Sequence, residues 1–367
     1  MPRGPTAQQR LPKGCCSSDP GDGATNMRRS TFFIFIAPSA VTMLLLIMLP
    51  LLAVGWMSVH QSFVRTELVE VTTEVPVFGG LTRTTTRVVP QAAFDKDGRP
   101  ERVTRYVGLE NFRAAADPEA LARALSQPSF RAGWAQAMNV DFWNALAFTL
   151  IFVGLTTPAV LILGLALALG VNRMTHRLRP WAVFVTILPM AITPVVSSLA
   201  VYWLFVDGAI VPATLKWLGF GRHYFLGDAI TVRTIIILHG IWYAAPFAFV
   251  IYYAGLQTVP IEPIEAAMVD GANRWQRLRF VILPHLAPLT AIITLVHVMD
   301  AYRLFEPILV FGSAVYANSV QYQTFWTLTF EDNANKAAAY SVLTVIGVLI
   351  LMAPVLRRSA RDYRIAR

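Results

Sequence analysis

Two groups of residues carry chemistry in a chain that is otherwise strongly apolar. Asp300, Arg303 and Glu306 lie within seven positions of one another, along or just beyond an apolar run. Charged side chains are costly in such runs and mark a functional site by default. Arg303 either pairs with Asp300 or snorkels outward, so this trio is a structural ion pair or part of a path lining. Trp242, Tyr243, Tyr252, Tyr253 and Tyr302 offer ring faces that can stack on a ligand, or can simply pack and anchor. His239 and His297 are expected to hydrogen-bond between helices. The second group is EAAMVDGANRWQRLRFVILP (265–284), polar on one side, hinged by Gly271 and closed by Leu283-Pro284. There is no G-x-x-x-x-G-K-[ST] phosphate loop, no H-E-x-x-H and no G-x-S-x-G context, so no catalytic constellation stands out.

Composition dictates the setting for these residues. The 367 residues are 55% hydrophobic and only 14% charged, with mean hydropathy +0.51. Soluble domains carry about 25% charged residues, so a water-soluble fold is disfavoured. Runs of about 18 or more apolar residues are long enough to cross a bilayer as helices. The net charge of +9 does not point to nucleic acid, because membrane proteins gather Lys and Arg in cytoplasmic loops. Cys15 and Cys16 build neither a disulfide framework nor a zinc site. Residues 1–29 read as a disordered cytoplasmic leader. Met27, followed by Arg28-Arg29 and an uncharged run, is a candidate start, and the run is read as an uncleaved first span.

Spans are expected at Phe32–Val54, Ala145–Gly170, Trp181–Val206, Thr234–Leu256, Leu286–Phe305 and Ala337–Leu356. The fifth is ambiguous because Asp300 and Arg303 interrupt it, and charge parity decides it. Arg173, Arg177 and Arg179 mark one short loop, Arg274, Arg277 and Arg279 another, and Arg357, Arg358, Arg361, Arg364 and Arg367 the tail. Six spans put all of these segments and both termini in the cytoplasm; five would put the Arg-rich tail outside. The expected organisation is therefore a first span at 30–57, an external segment at 58–140, a core at 141–357 and a basic tail at 358–367. In this scheme 257–284 is a cytoplasmic loop. Within the external segment, residues 64–105 form an insertion in which 68–90 alternates about Gly79-Gly80 and reads as a β-hairpin. A two-residue turn there puts Glu70, Glu74, Arg83 and Arg87 on one face and Val69, Val71 and Val75 on the other. The hairpin is either a solvated cap or a docking surface for an external partner.

The loop at 257–284 has its own local logic. Pro263 suits the first turn of a short helix, Gly271 permits a bend, and Asn273 can cap a second helix through RWQRLRF. Pro284 marks the start of the fifth span. The bland alternative is an interfacial loop with Trp275 and the arginines at headgroup level.

The spacing EAA-x3-G-x9-V-x-LP resembles the EAA loop of bacterial ABC importer permeases, with Val281 in place of the usual isoleucine. AGLQTVPIEPIEAAMVDGANRWQRLRFVILP resembles the carbohydrate-uptake branch, of maltose and glycerol-phosphate type. Pro50 near the end of the first span, GLENF (108–112) and FWNALAFT (142–149) extend the likeness across roughly residues 30–357, the insertion excepted. Where many carbohydrate permeases carry a Thr-x-GGP-like segment, this chain has EPILVFGSAVYANS (306–319), which weakens the substrate assignment.

The resemblance implies an all-α, six-span permease of type I ABC importer architecture with a small external β-hairpin, in a bacterial inner membrane. It implies a non-catalytic subunit, with ATP and Mg bound by a cytoplasmic ATPase dimer, and no cofactor in this chain. A second permease subunit, an external or periplasmic solute-binding protein and a sugar, oligosaccharide, polyol or sugar derivative complete the expected partners. Glu265, Ala266, Ala267, Met268, Asp270, Gly271, Leu283 and Pro284 would meet the ATPase. Trp242, Tyr243, Tyr252, Asp300, Tyr302, Arg303 and Glu306 are the candidate path residues. A permease for another solute is the nearest rival; an ion-coupled secondary transporter should show inverted repeats, and none is visible. A structural scaffold would not need the loop's spacing.

Overall fold

A computed structural model of the chain describes residues 29–77, 81–94, 98, 101–220 and 224–365. The cysteine pair, Met27 and the Gly79-Gly80 turn lie outside them. The chain divides into two compact units, Met1–Leu52 and Ala53–Arg367. In the first, the described residues are helical; in the second, helices surround a membrane core and carry a small β arm.

Helix α1 covers Arg29–Val59 and leads into β1 (His60–Val64), β2 (Thr66–Val77), β3 (Leu81–Ala92) and β4 (Arg102–Tyr106). Short helices α2 (Glu110–Ala116), α3 (Pro118–Leu125) and α4 (Phe130–Ala137) precede the core. The core itself contains α5 (Asp141–Asn172), α6 (Arg179–Ala191), α7 (Pro194–Phe205), α8 (Ile210–Trp217) and α9 (Ala229–Leu256). There follow α10 (Ile261–Val269), α11 (Arg274–Arg277), a π-helical turn (Leu278–Ile282) and α12 (Leu283–Tyr302). The chain continues through α13 (Glu306–Phe311) and α14 (Val320–Thr329) to α15 (Ala334–Ile365). Among the described residues, six helical stretches are long and apolar enough to cross a membrane, including Arg274–Phe311, which contains the ambiguous fifth run.

The third apolar run departs from its expected form. Trp181–Val206 is not one helix but α6 and α7, broken at Ile192 and Thr193, both extended. Pro194 explains the break, because its ring disfavours helical backbone at the preceding residue and it has no N–H to donate. The stretch long enough to span is Pro194–Trp217, with Arg179–Ala191 a shorter apolar helix.

The hairpin also forms in a different register. Val77 pairs with Leu81, Val75 with Arg83 and Val71 with Arg87. That is one step from the pairing a two-residue turn would give. Strand side chains alternate, so a one-residue step moves each arginine position to the valine face and leaves Glu70 opposite Val88. A second antiparallel pair, β1 with β4, was not legible beforehand; it forms a stem below the hairpin, joined by Arg65 N–H to Glu101 O at 2.8 Å. Two asparagines tie this stem to helices. Asn111 of GLENF donates to the carbonyls of Ser58 and His60 at 2.9 and 2.8 Å. Asn335 at the start of α15 donates to Met57 and His60 carbonyls and accepts from Ser62 Oγ at 3.0 Å.

In the core α5 and α9 approach closely because small residues meet. Gly164 lies on Ala248, with no room for a Cβ, and Gly240 lies on Phe152. The cluster of Val160, Ala168, Ala248, Phe249, Tyr252, Leu286 and Ile293 knits α5, α9 and α12. Replacing Gly164 by Val should cost about 1–3 kcal/mol by overpacking. The same change at Gly154, which faces open space, should be near neutral. Thermal unfolding of the two variants in detergent checks this, and equal losses would refute the packing argument.

Candidate functional site

Two regions earn attention: a cavity inside the helical core and the elbow at 257–284. The cavity, about 460 Å³, is lined at its polar wall by Asp300, Arg303, Glu306, Tyr243, His239 and His297. Phe152, Met190 and Pro194 contribute to the remainder. Both interruptions of helix therefore border one space. On one side α6 gives way to α7 at Ile192–Thr193; on the other α12 ends at Tyr302 and α13 begins at Glu306. Broken helix at membrane depth is tolerated only where protein or a cavity satisfies the freed backbone. Tyr243 supplies one such partner, its hydroxyl donating to the Ile192 carbonyl at 3.3 Å.

The two histidines hydrogen-bond between helices as expected. His239 Nε2 lies 3.1 Å from Ser197 Oγ, joining α9 to α7. His297 Nε2 lies 3.1 Å from Thr156 Oγ1, joining α12 to α5. Both hydroxyls already donate to backbone carbonyls, Ser197 to Pro194 at 3.0 Å and Thr156 to Phe152 at 2.8 Å. A hydroxyl has one hydrogen, so each imidazole donates through Nε2, and neutral rings keep a lone pair on Nδ1. His239 Nδ1 is buried without a partner.

Of the seven expected path residues, the cavity collects Tyr243, Asp300, Arg303 and Glu306. Asp300 and Arg303 do not close to an ion pair within 4.0 Å in this conformation. Tyr302 is instead packed in the core against Gly347. Tyr252 is buried with its hydroxyl on Thr290 Oγ1 at 3.0 Å. Trp242 is 44% exposed and does not line the cavity. The helix face each of these three side chains occupies is the reason, since adjacent residues such as His239 and Gly240 do line the wall. Missing from the expected set were Pro194 and Phe152; a Thr-Pro pair inside an apolar run was the available signal for the former.

The elbow is built from well-defined caps. Helix α10 ends in a Schellman motif: Gly271, at φ +76°, donates to Met268 O at 3.1 Å, and Ala272 donates to Ala267 O at 2.9 Å. Asn273 then caps α11 in a reciprocal box, accepting from Gln276 N–H at 2.9 Å while Gln276 Oε1 accepts from its own N–H at 2.8 Å. Helix α11 is not a separate second helix, as the sequence suggested. It runs through the π turn into α12, with Leu283 N–H bonded to Leu278 O. Pro284 lies just past the π turn, where its missing N–H leaves the Phe280 carbonyl without the usual i+4 donor. Glu265, Ala266, Met268 and Asp270 are exposed, as are Val269, Trp275 and Phe280. Ala267 and Leu283 are half-buried, and Pro284 is exposed. Thr258 Oγ1 to His285 Nε2, at 3.2 Å, and Gln257 Nε2 to Asn172 Oδ1, at 3.1 Å, hold the base.

Residues 129–358 match the model of the family described as "Binding-protein-dependent transport system inner membrane component". A probable ABC transporter permease protein of Pyrococcus horikoshii is 30% identical over 251 residues, 67% of this chain and 81% of that protein. The trehalose transport system permease protein SugA of Mycobacterium tuberculosis is 32% identical over 58% of this chain and 68% of that one. A solved bacterial ABC transporter, described as importing the acidic polysaccharide alginate, aligns with TM-score 0.57 at 24% identity, over 67% of this chain and 88% of that one. At that identity the likeness speaks for the fold.

Gly271→Ala should destabilise the elbow by about 1–2 kcal/mol, because the left-handed conformation strains a Cβ. Asn273→Ala should cost about 1 kcal/mol through the lost cap. Hydrogen exchange across 261–282 reads both, with faster exchange confined to that segment.

Proposed function

Because the chain belongs to the binding-protein-dependent transport system inner membrane component family, we propose that its elbow is the coupling element of a carbohydrate importer. The protein is a membrane-spanning permease component of an ABC importer and not itself catalytic, ATP hydrolysis belonging to a partner. The observation that carries the coupling proposal is the physical form of the EAA spacing. A short helix with Ala266, Met268 and Val269 uncovered joins through Gly271 to a helix continuous with the fifth span. A short exposed helix of that kind suits a groove, with apolar anchors giving affinity and Glu265 setting register. The partner is a cytoplasmic ATPase dimer that holds ATP and Mg. Its closure would shift the spans as rigid bodies and switch access to the cavity.

The substrate is proposed to be a sugar, oligosaccharide, polyol or derivative, supported by relatives named for trehalose and for starch degradation products. A second permease chain and an external solute-binding protein complete the assembly, in a bacterial inner membrane with both termini cytoplasmic.

Glu265→Ala or Met268→Glu should abolish co-purification of the ATPase or cut its coupled hydrolysis at least about tenfold, while leaving the solubilised chain folded. Retention of the ATPase together with full coupled activity in both variants would refute the coupling role.

A further inference from the structure

The polar wall of the core cavity has a lopsided hydrogen-bond inventory. Asp300 and Glu306 supply carboxylate acceptors, and Arg303 alone among the charged lining groups is a donor. The hydroxyl hydrogen of Tyr243 is spent on the Ile192 carbonyl, so its oxygen can only accept further. The Nε2 hydrogens of His239 and His297 are spent on Ser197 and Thr156. A ring that carries one proton keeps a lone pair on Nδ1, and Nδ1 of His239 is buried without a partner on a ring 6% exposed. The wall's free donors are therefore confined to the Arg303 guanidinium, and two carboxylates against that one cation leave one net negative charge.

We infer that this cavity is a solute-selecting site that admits neutral or cationic polyhydroxyl solutes and rejects anionic ones. The inference rests on the importer reading and adds the charge class of the cargo. A polyol presents hydroxyl donors to the acceptors already in place, and an ammonium group does so with favourable charge. An anionic sugar brings a carboxylate or phosphate to a wall whose net charge has its own sign. Arg303, not closed onto Asp300, is one cation against two carboxylates, so an incoming anion adds to an existing negative excess. The apolar remainder, Phe152 with Met190 and Pro194, gives a ring face a surface to lie on.

The test uses the intact, detergent-solubilised transporter complex without its external binding protein, so that the permease's own preference is read. Glucose, glucosamine and glucuronate share one ring and differ in charge; saturation-transfer NMR and competition report weak binding of each. Glucose and glucosamine are expected to bind and compete, with glucuronate at least about tenfold weaker. In Asp300→Asn combined with Glu306→Gln that gap should close, and in Arg303→Gln it should widen, with glucosamine binding tighter. The paired variants move the ranking in opposite directions, which a loss of folding cannot imitate. Glucuronate binding as well as glucose, a ranking unmoved by both variants, or no binding by any of the three would overturn the inference. Co-purification of the ATPase judges the importer reading separately.

Discussion

Backbone polar groups inside a bilayer have no water to turn to, so any interruption of a helix there must be answered by the protein. That constraint organises this molecule. The α6–α7 break and the α12–α13 break lie beside one cavity, where side chains and enclosed space absorb the freed groups. Tyr243 answers one exposed carbonyl, and the Asn335 and Asn111 amides do the same where α1 gives way to the β stem. Elsewhere hydroxyls fold back onto their own helices, as Thr149 and Thr156 do in α5.

A second consequence follows for charge. Asp300, Arg303 and Glu306 are expensive in an apolar run but sit where one helix ends and another begins. Placing them at a break lets the cost be met by the same space that the break opens. Close packing of small residues holds the cavity walls at a fixed spacing, Gly164 on Ala248 and Gly240 beneath Phe152. Wall chemistry and wall position therefore come from different residues.

Much of this was readable from the residues alone. Span number followed from charge parity, and the Gly271 bend and Asn273 cap followed from local backbone chemistry. The histidine bridges followed from the need to satisfy polar groups among helices. Three features were not readable. The hairpin register depends on the turn, and one residue of difference reverses every face. The split at Ile192–Thr193 hid inside a long uncharged run, where Pro194 was its one local signal. The separation of Tyr243 from Trp242, Tyr252 and Tyr302 required knowing which way each helix is turned, and an apolar-all-round helix has no amphipathic stripe to reveal that.

The uninterrupted course from Asn273 to Tyr302 has a mechanical meaning. Its 29 helical positions after the cap extend about 43 Å at 1.5 Å per residue. A rod of that length pivoting by about 10° at one end sweeps the other through roughly 7 Å. Asp300 stands near the far end, so a small tilt of the rod at its Asn273 end would displace a carboxylate by several ångströms. The π turn between them holds one residue more than an α-helical turn. Were it to tighten, the far segment would rotate about the rod's axis by about 100° relative to the near one, turning the wall's charged face away without any change in length of chain.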